Sequence, residues 1–181
     1  MEREYWKLVE RLDADGFREL MVTYGKDVWN YAFLLTRSPE MADDVSQDVF
    51  LRVYRKIGSF RGESSMRTWL LAITRNIAVN HRRAAFVRKV MLVDRQVTRE
   101  THPSAEQDAM GRMLSEEIWE LVMRLPAKFR EVLVLDAKYG MTQKEIAQLL
   151  GVSEGTVKSR LSRARSKVNA AWKGEYAHER A

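Results

Sequence analysis

The chain has 181 residues, a formal net charge of +6 and a sequence pI of about 9.6, enough length for two small domains and a charge that favours an anionic partner. It contains no cysteine, and its three histidines, His81, His102 and His178, are scattered, which argues against a disulfide framework, a thiolate metal site or a histidine metal site. No apolar run is long enough to span a bilayer and the charged N-terminus does not read as a signal peptide, so a soluble, cytoplasmic protein with no cofactor and no direct membrane insertion is expected.

Residues 1 to 36 are expected to be helical. Tyr5, Leu8, Val9 and Leu12, then Phe17, Leu20, Met21 and Tyr24, recur at helical spacing. Val28, Tyr31, Ala32, Leu34 and Leu35 resume the stripe after Gly25, which is expected to loosen the middle. Aromatic residues at this spacing read as core.

Ser38 and Pro39 open the next helix as cap and first residue, and Gly58 stops it. Glu40, Asp43, Asp44 and Asp48 come early in it, and Arg52, Arg55 and Lys56 late, an order that complements the helix dipole. Asp44, Gln47, Asp48 and Leu51 share one face, while Val45, Val49, Arg52 and Lys56 share another. An acidic patch on a basic protein also suits docking of a basic partner, and spacing alone does not choose between the two accounts.

Ser59 to Ser65 is a polar loop with one aromatic, Phe60. Ser65 caps a helix expected from Met66 to about Phe86, with Met66, Trp69, Leu70, Ile73 and Ile77 as its buried stripe. Arg67, Arg75 and Arg82 line another side, with Asn76, Asn80 and Arg83 beyond them. Between Arg52 and Lys89 ten basic residues stand against the single acid Glu63. Asparagine beside arginine on such a face can bond base edges while neighbouring arginines hold phosphates.

Residues 89–110 lose periodicity, and Met91 to Met110 is net acidic; this stretch reads as a mostly extended interdomain linker. A helix is expected from Gly111 to Leu125, with Met113, Leu114, Ile118, Leu121 and Val122 apolar. Pro126 opens another, in which Phe129, Val132, Leu133 and Leu135 pack. The predicted organisation is all-α: residues 1–88 and 111–181 form two small helical domains, the second ending in a helix-turn-helix.

That helix-turn-helix is the strongest local signal. Thr142 and Glu145 form a capping box, Ile146, Ala147, Leu149 and Leu150 an apolar face, Gly151 the turn, and Ser153 the cap of a helix running to about Trp172. The spacing of Ala147, Gly151 and Val157 lets two helices cross closely. At 100° per residue Val157, Leu161, Ala164, Val168 and Trp172 fall on one side of the second helix, and Ser159, Ser162, Arg163 and Ser166 on the other. Lys158, Arg160, Arg165 and Lys167 flank that polar face, and no acid lies between Gly155 and Lys173. Short polar side chains let a helix enter the major groove, and long basic ones reach phosphates and guanine edges.

From the residues alone, a multi-contact DNA-binding subunit and a stand-alone helix-turn-helix regulator both remain open. An enzyme lacks support, since no acid/histidine cluster has metal spacing, no phosphate loop is present and no nucleophile sits beside a base.

Four segments, in order, carry a resemblance: DDVSQDVFLRVYRKI (Asp43 to Ile57), SFRGESSMRTWLLAITRNIAVNHRR (Ser59 to Arg83), LPAKFREVLVL (Leu125 to Leu135) and MTQKEIAQLLGVSEGTVKSRLSRAR (Met141 to Arg165). Together they resemble the extracytoplasmic-function (ECF) group of bacterial sigma factors, the minimal members of the sigma-70 family. The resemblance implies a promoter-specificity subunit that binds core RNA polymerase and initiates transcription of a stress or envelope-type regulon. Region 2 would occupy residues 1–88 and region 4 residues 111–181, joined by the linker along the polymerase surface and channel. It implies that Asp44, Gln47, Asp48 and Leu51 dock on the coiled coil of the largest polymerase subunit. Phe60 and Arg61, with Arg75, Asn76, Asn80 and Arg83, would melt the −10 element and hold the unstacked non-template strand. Lys158, Ser159, Arg160, Ser162, Arg163, Ser166 and Lys167 would read the −35 element in duplex DNA. An anti-sigma partner is also implied. The loop SFRGESS locates the base pocket without naming the base.

Overall fold

The computed structural model describes residues 12–91 and 116–179, which form seven α-helices and one 3-10 turn, with no strand among the described residues. They divide into two units, the first within Met1–His102 and the second within Pro103–Ala181.

In the first unit, α1 (Ala14–Thr36) begins where Asp13, in extended backbone, accepts the Gly16 amide on Oδ1 at 2.8 Å. This cap interrupts the single helix expected from residue 1; that expectation for residues 1–11 lies outside the described residues. Gly25 does not loosen α1, which runs through it unbroken. Leu20, Tyr24, Val28, Tyr31 and Leu34 are buried on either side of it, and their packing outweighs the roughly 1 kcal/mol that glycine costs a helix. The chain reverses at Arg37, whose φ of 57° places it in the left-handed region, and its amide bonds the Phe33 carbonyl at 2.8 Å. Ser38 then caps α2 (Pro39–Lys56), with Pro39 in its first turn.

Ala42, Val45, Val49 and Val53 face the core from α2. Arg52 and Lys56, which share the side of Val45 and Val49, are exposed: Arg52 lies at the edge of the buried arc and Lys56 is the last residue of the helix. A 3-10 turn over Ile57–Ser59 buries Ile57 and ends the helix. Ser65 Oγ accepts the Thr68 amide at 3.0 Å to start α3 (Met66–Met91). This helix passes its expected end near Phe86 and enters the segment read as linker, since no glycine or proline follows until Pro103. Its buried face holds Met66, Leu70 and Ile77 and also Leu71, Thr74 and Ala78. The arc is wider than a single stripe because α3 packs on both α1 and α2.

The second unit comprises α4 (Glu116–Arg124), α5 (Ala127–Ala137), α6 (Gln143–Leu150) and α7 (Glu154–Glu179). The expected helical residues 111–115, and nearly all of the expected linker, lie outside the described residues. Pro126 sits in the cap position with extended backbone, one residue before α5 rather than inside it. Trp119, Val122, Phe129, Val132, Leu135, Ile146, Val157 and Leu161 form the core. Trp119 was missing from the sequence-based set, and its burial makes it one of the largest contributors to this small core. Arg130 is only 5% exposed; its Nη1 donates to the carbonyls of Met123 at 3.1 Å and Leu125 at 3.2 Å. A buried guanidinium thus satisfies carbonyls left over at the end of α4. α7 continues past its expected end at Trp172 to Glu179.

Candidate nucleic-acid interface

The helix-turn-helix is built by hydrogen bonds within the turn. Thr142 Oγ1 accepts the Glu145 amide at 3.2 Å, and Glu145 Oε2 accepts the Thr142 amide at 2.9 Å, closing the capping box of α6. Gly151 has φ 66° and ψ 39°, and the Val152 amide bonds the Ala147 carbonyl at 3.1 Å, which satisfies the end of α6 and turns the chain. Ser153 Oγ accepts the Thr156 amide at 3.1 Å and starts α7. Ala147 and Val157 are both buried where the two helices cross, as the small-residue spacing requires.

Val157, Leu161 and Ala164 are buried along the inner side of α7. Lys158, Ser159, Ser162, Arg163, Ser166 and Lys167 are exposed, and Arg160 is half-buried at the edge of that face. Ser159 Oγ donates to the Thr156 carbonyl at 2.9 Å, so its hydroxyl adds little bulk to the face. Arg165, expected to flank this face, points the other way: its Nη2 lies 2.8 Å from Asp136 Oδ2 on α5. The pair braces α7 against α5 and takes Arg165 away from that exposed face.

In the first unit, Asp44, Gln47, Asp48 and Leu51 are all exposed on α2, away from the core. Leu51 is 53% exposed, and Tyr54 and Met21 lie exposed beside the same shallow apolar depression, which Phe17 also lines. Asp43 accepts the Trp29 indole N–H at 2.6 Å, and Asp48 Oδ2 lies 2.8 Å from His81 Nε2 on α3. Arg61, Asn76, Asn80 and Arg83 are exposed, and Arg75 is half-exposed. Phe60 is 5% exposed, with its ring centroid 5.3 Å from that of Trp69. It anchors the loop from beneath instead of presenting a ring to solvent. Arg67 is also engaged within the unit, its Nε donating to Asp27 Oδ2 at 2.8 Å and tying α3 to α1.

Sequence reasoning missed His81, Arg130 and the partners of Arg67 and Arg165. The pairs made by His81, Arg67 and Arg165 join residues far apart in the chain, and Arg130 reaches back across the turn between two helices to Met123 and Leu125; local periodicity carries no signal for either. Among the described residues no group of acids and histidines could hold a metal ion, and no helix is long and apolar enough to cross a membrane.

Two family models match the chain: Sigma-70 region 2 over residues 20–85 and Sigma-70, region 4 over residues 115–168. The sequence is 34% identical over 176 residues to the ECF RNA polymerase sigma-E factor of Escherichia coli, covering 90% of this chain and 91% of that one. The chain belongs to the ECF group of the sigma-70 family. It is also 31% identical over 153 residues to the RNA polymerase sigma factor YlaC of Bacillus subtilis, covering 83% of this sigma factor and 88% of YlaC. Its fold is similar to that of the sigma factor RpoE of Bartonella quintana, solved in complex with the anti-sigma factor NepR: TM-score 0.70, 25% identity, 89% of this chain and 98% of that one covered. As a sigma factor it is a promoter-recognition subunit, binding core RNA polymerase and promoter DNA to initiate transcription.

Proposed function

We propose that the two units divide promoter recognition between duplex and melted DNA. The second unit, in the segment 111–181, reads the −35 element through Lys158, Ser159, Arg160, Ser162, Arg163, Ser166 and Lys167. The observation that carries this reading is the acid-free exposed face of α7 opposite buried Val157, Leu161 and Ala164. Serines at its centre let the backbone come close to base edges, and the basic residues supply phosphate contacts and one guanine-reading side chain, Arg163.

The first unit, in the segment 1–88, docks on core polymerase through Asp44, Gln47, Asp48 and Leu51, with residues 89–110 spanning to the second unit's segment. Exposed carboxylates beside an exposed leucine suit a partner helix that is basic and partly apolar. Arg61, Arg75, Asn76, Asn80 and Arg83 hold the melted non-template strand of the −10 element. Unstacking a base costs a few kcal/mol, which polar base contacts and a basic strand track offset. Phe60 contributes by shaping the loop from its buried position. The protein acts in the cytoplasm, where polymerase is, without catalytic chemistry of its own, and serves a stress or envelope-type regulon. An anti-sigma partner covers its polymerase-binding faces, a reading supported by the complex in which the similar RpoE was solved.

The test is a set of single base-pair changes through the −35 element, read by holoenzyme binding. Wild type should discriminate among them and Arg163→Ala should flatten the profile at one or two adjacent positions. An unchanged profile for Arg163→Ala would remove the α7 face from the reading.

A further inference from the structure

Asp48 belongs to two faces at once. Its turn of α2 also presents Asp44, Gln47 and Leu51 to solvent, yet its Oδ2 lies 2.8 Å from His81 Nε2 on α3. The imidazole N–H donates to the carboxylate whether the ring is neutral or charged. The Asp44 carboxylate, by contrast, has no hydrogen bond or ion pair with another described residue. The carboxylate that α2 leaves uncommitted is therefore Asp44, not Asp48.

His81 lies between Asn80 and Arg82 in sequence. At 100° per residue it points toward α2, while Asn76, Asn80 and Arg83 cluster on another side of α3 and are exposed. Burial along α3 also changes at this point. Leu70, Leu71, Thr74, Ile77 and Ala78 are buried, but from residue 79 to residue 87 no side chain is. Phe86 and Val87 stand 68% and 48% exposed. Beyond Ala78, then, no buried side chain holds this stretch of α3 against the rest of the unit. The His81–Asp48 bond is the last side-chain hydrogen bond or ion pair along α3 between described residues.

We propose that His81 is a positioning residue for promoter opening, held by Asp48 so that Asn80 and Arg83 face the melted strand in one fixed direction. Asp48 is accordingly an anchor for the DNA face as well as a member of the docking face. The inference rests on the reading of Asn80 and Arg83 as strand contacts.

The experiment uses full-length protein reconstituted with core polymerase. Core affinity is measured by titration, and opening is measured at saturating core by the fluorescence of 2-aminopurine in the −10 element. His81→Ala should leave core affinity within about twofold and slow opening roughly threefold to tenfold, the range expected when one coupled side chain is removed. His81→Gln, which keeps an N–H donor at similar reach, should recover most of the rate. Asp48→Ala, which removes the acceptor, should slow opening even at saturating core, and adding His81→Ala to it should slow opening no further. Wild-type opening by His81→Ala, while Asn80→Ala opens slowly, would overturn the proposal and leave the strand-contact reading standing. Normal opening by Asn80→Ala and Arg83→Ala would remove that reading and the proposal with it. Equal losses for His81→Ala and His81→Gln, tracking a fall in thermal stability, would mark the bond as a structural tie and also overturn it.

Discussion

Arg165 and Arg163 are two residues apart on α7 and face different ways: Arg165 lies 2.8 Å from Asp136 of α5, whereas Arg163 is exposed on the opposite face. Charge and composition do not separate them, but helix rotation does. Arg163→Ala is predicted to lose roughly 1–3 kcal/mol of discrimination at the −35 element. Arg165→Ala should leave the order of preferred −35 sequences intact and cost stability by less than about 1 kcal/mol, since the arginine is largely exposed. Parallel binding profiles on a −35 library check both. A shifted preference for Arg165→Ala would mean that the ion pair opens on DNA.

The buried guanidinium of Arg130 yields a stability prediction. Arg130→Met fills similar volume but leaves the carbonyls of Met123 and Leu125 without their donor. The expected cost is about 1–3 kcal/mol, confined to the second unit. Native-state hydrogen exchange should show faster opening of α4 and α5 amides and unchanged protection in α1 to α3. Uniform loss of protection across both units would contradict a local role.

Two glycines should respond in opposite directions. A Cβ at Gly25 meets nothing within 4 Å and its backbone is helical, so Gly25→Ala should stabilise the first unit by about 0.4–1 kcal/mol. A Cβ at Gly151 also meets nothing within 4 Å, but there φ is +66°, so Gly151→Ala should cost about 1 kcal/mol or more through backbone conformation alone. Thermal unfolding of the two variants distinguishes the cases, and the same sign for both would refute the conformational argument.

Charge reversal separates docking from DNA contact. Asp44→Lys should weaken assembly with core polymerase, by roughly tenfold or more if the carboxylate meets a desolvated cation. It should leave the α7 face untouched, so −35 preference among the complexes that do form should not change. Holoenzyme titrations with unaltered midpoints would place docking elsewhere.

Much of this was legible locally. The capping box of Thr142 and Glu145, the turn at Gly151, the cap at Ser38 and the stripe through Val157, Leu161 and Ala164 all follow from interactions within four residues. Local rules of that range also found the exposed faces of α2, α3 and α7. What escaped were pairings between helices. Asp48 with His81, Arg165 with Asp136 and Arg67 with Asp27 join residues 33, 29 and 40 positions apart. Phe60 escaped for a related reason, because a lone aromatic in a polar loop gives no sign that it packs against Trp69. Helix ends were misjudged at Met91, where no glycine or proline follows the expected end, and in α7, which runs through Gly174 to Glu179.

The most direct test of the central claim is promoter selection from a random DNA library, with and without core polymerase. The account predicts that selected sequences emerge only with polymerase present, and that they carry two separated elements, the upstream one lost with Arg163→Ala and the downstream one with Asn80→Ala. Tight, specific selection by the protein alone, unchanged when polymerase is added, would contradict it.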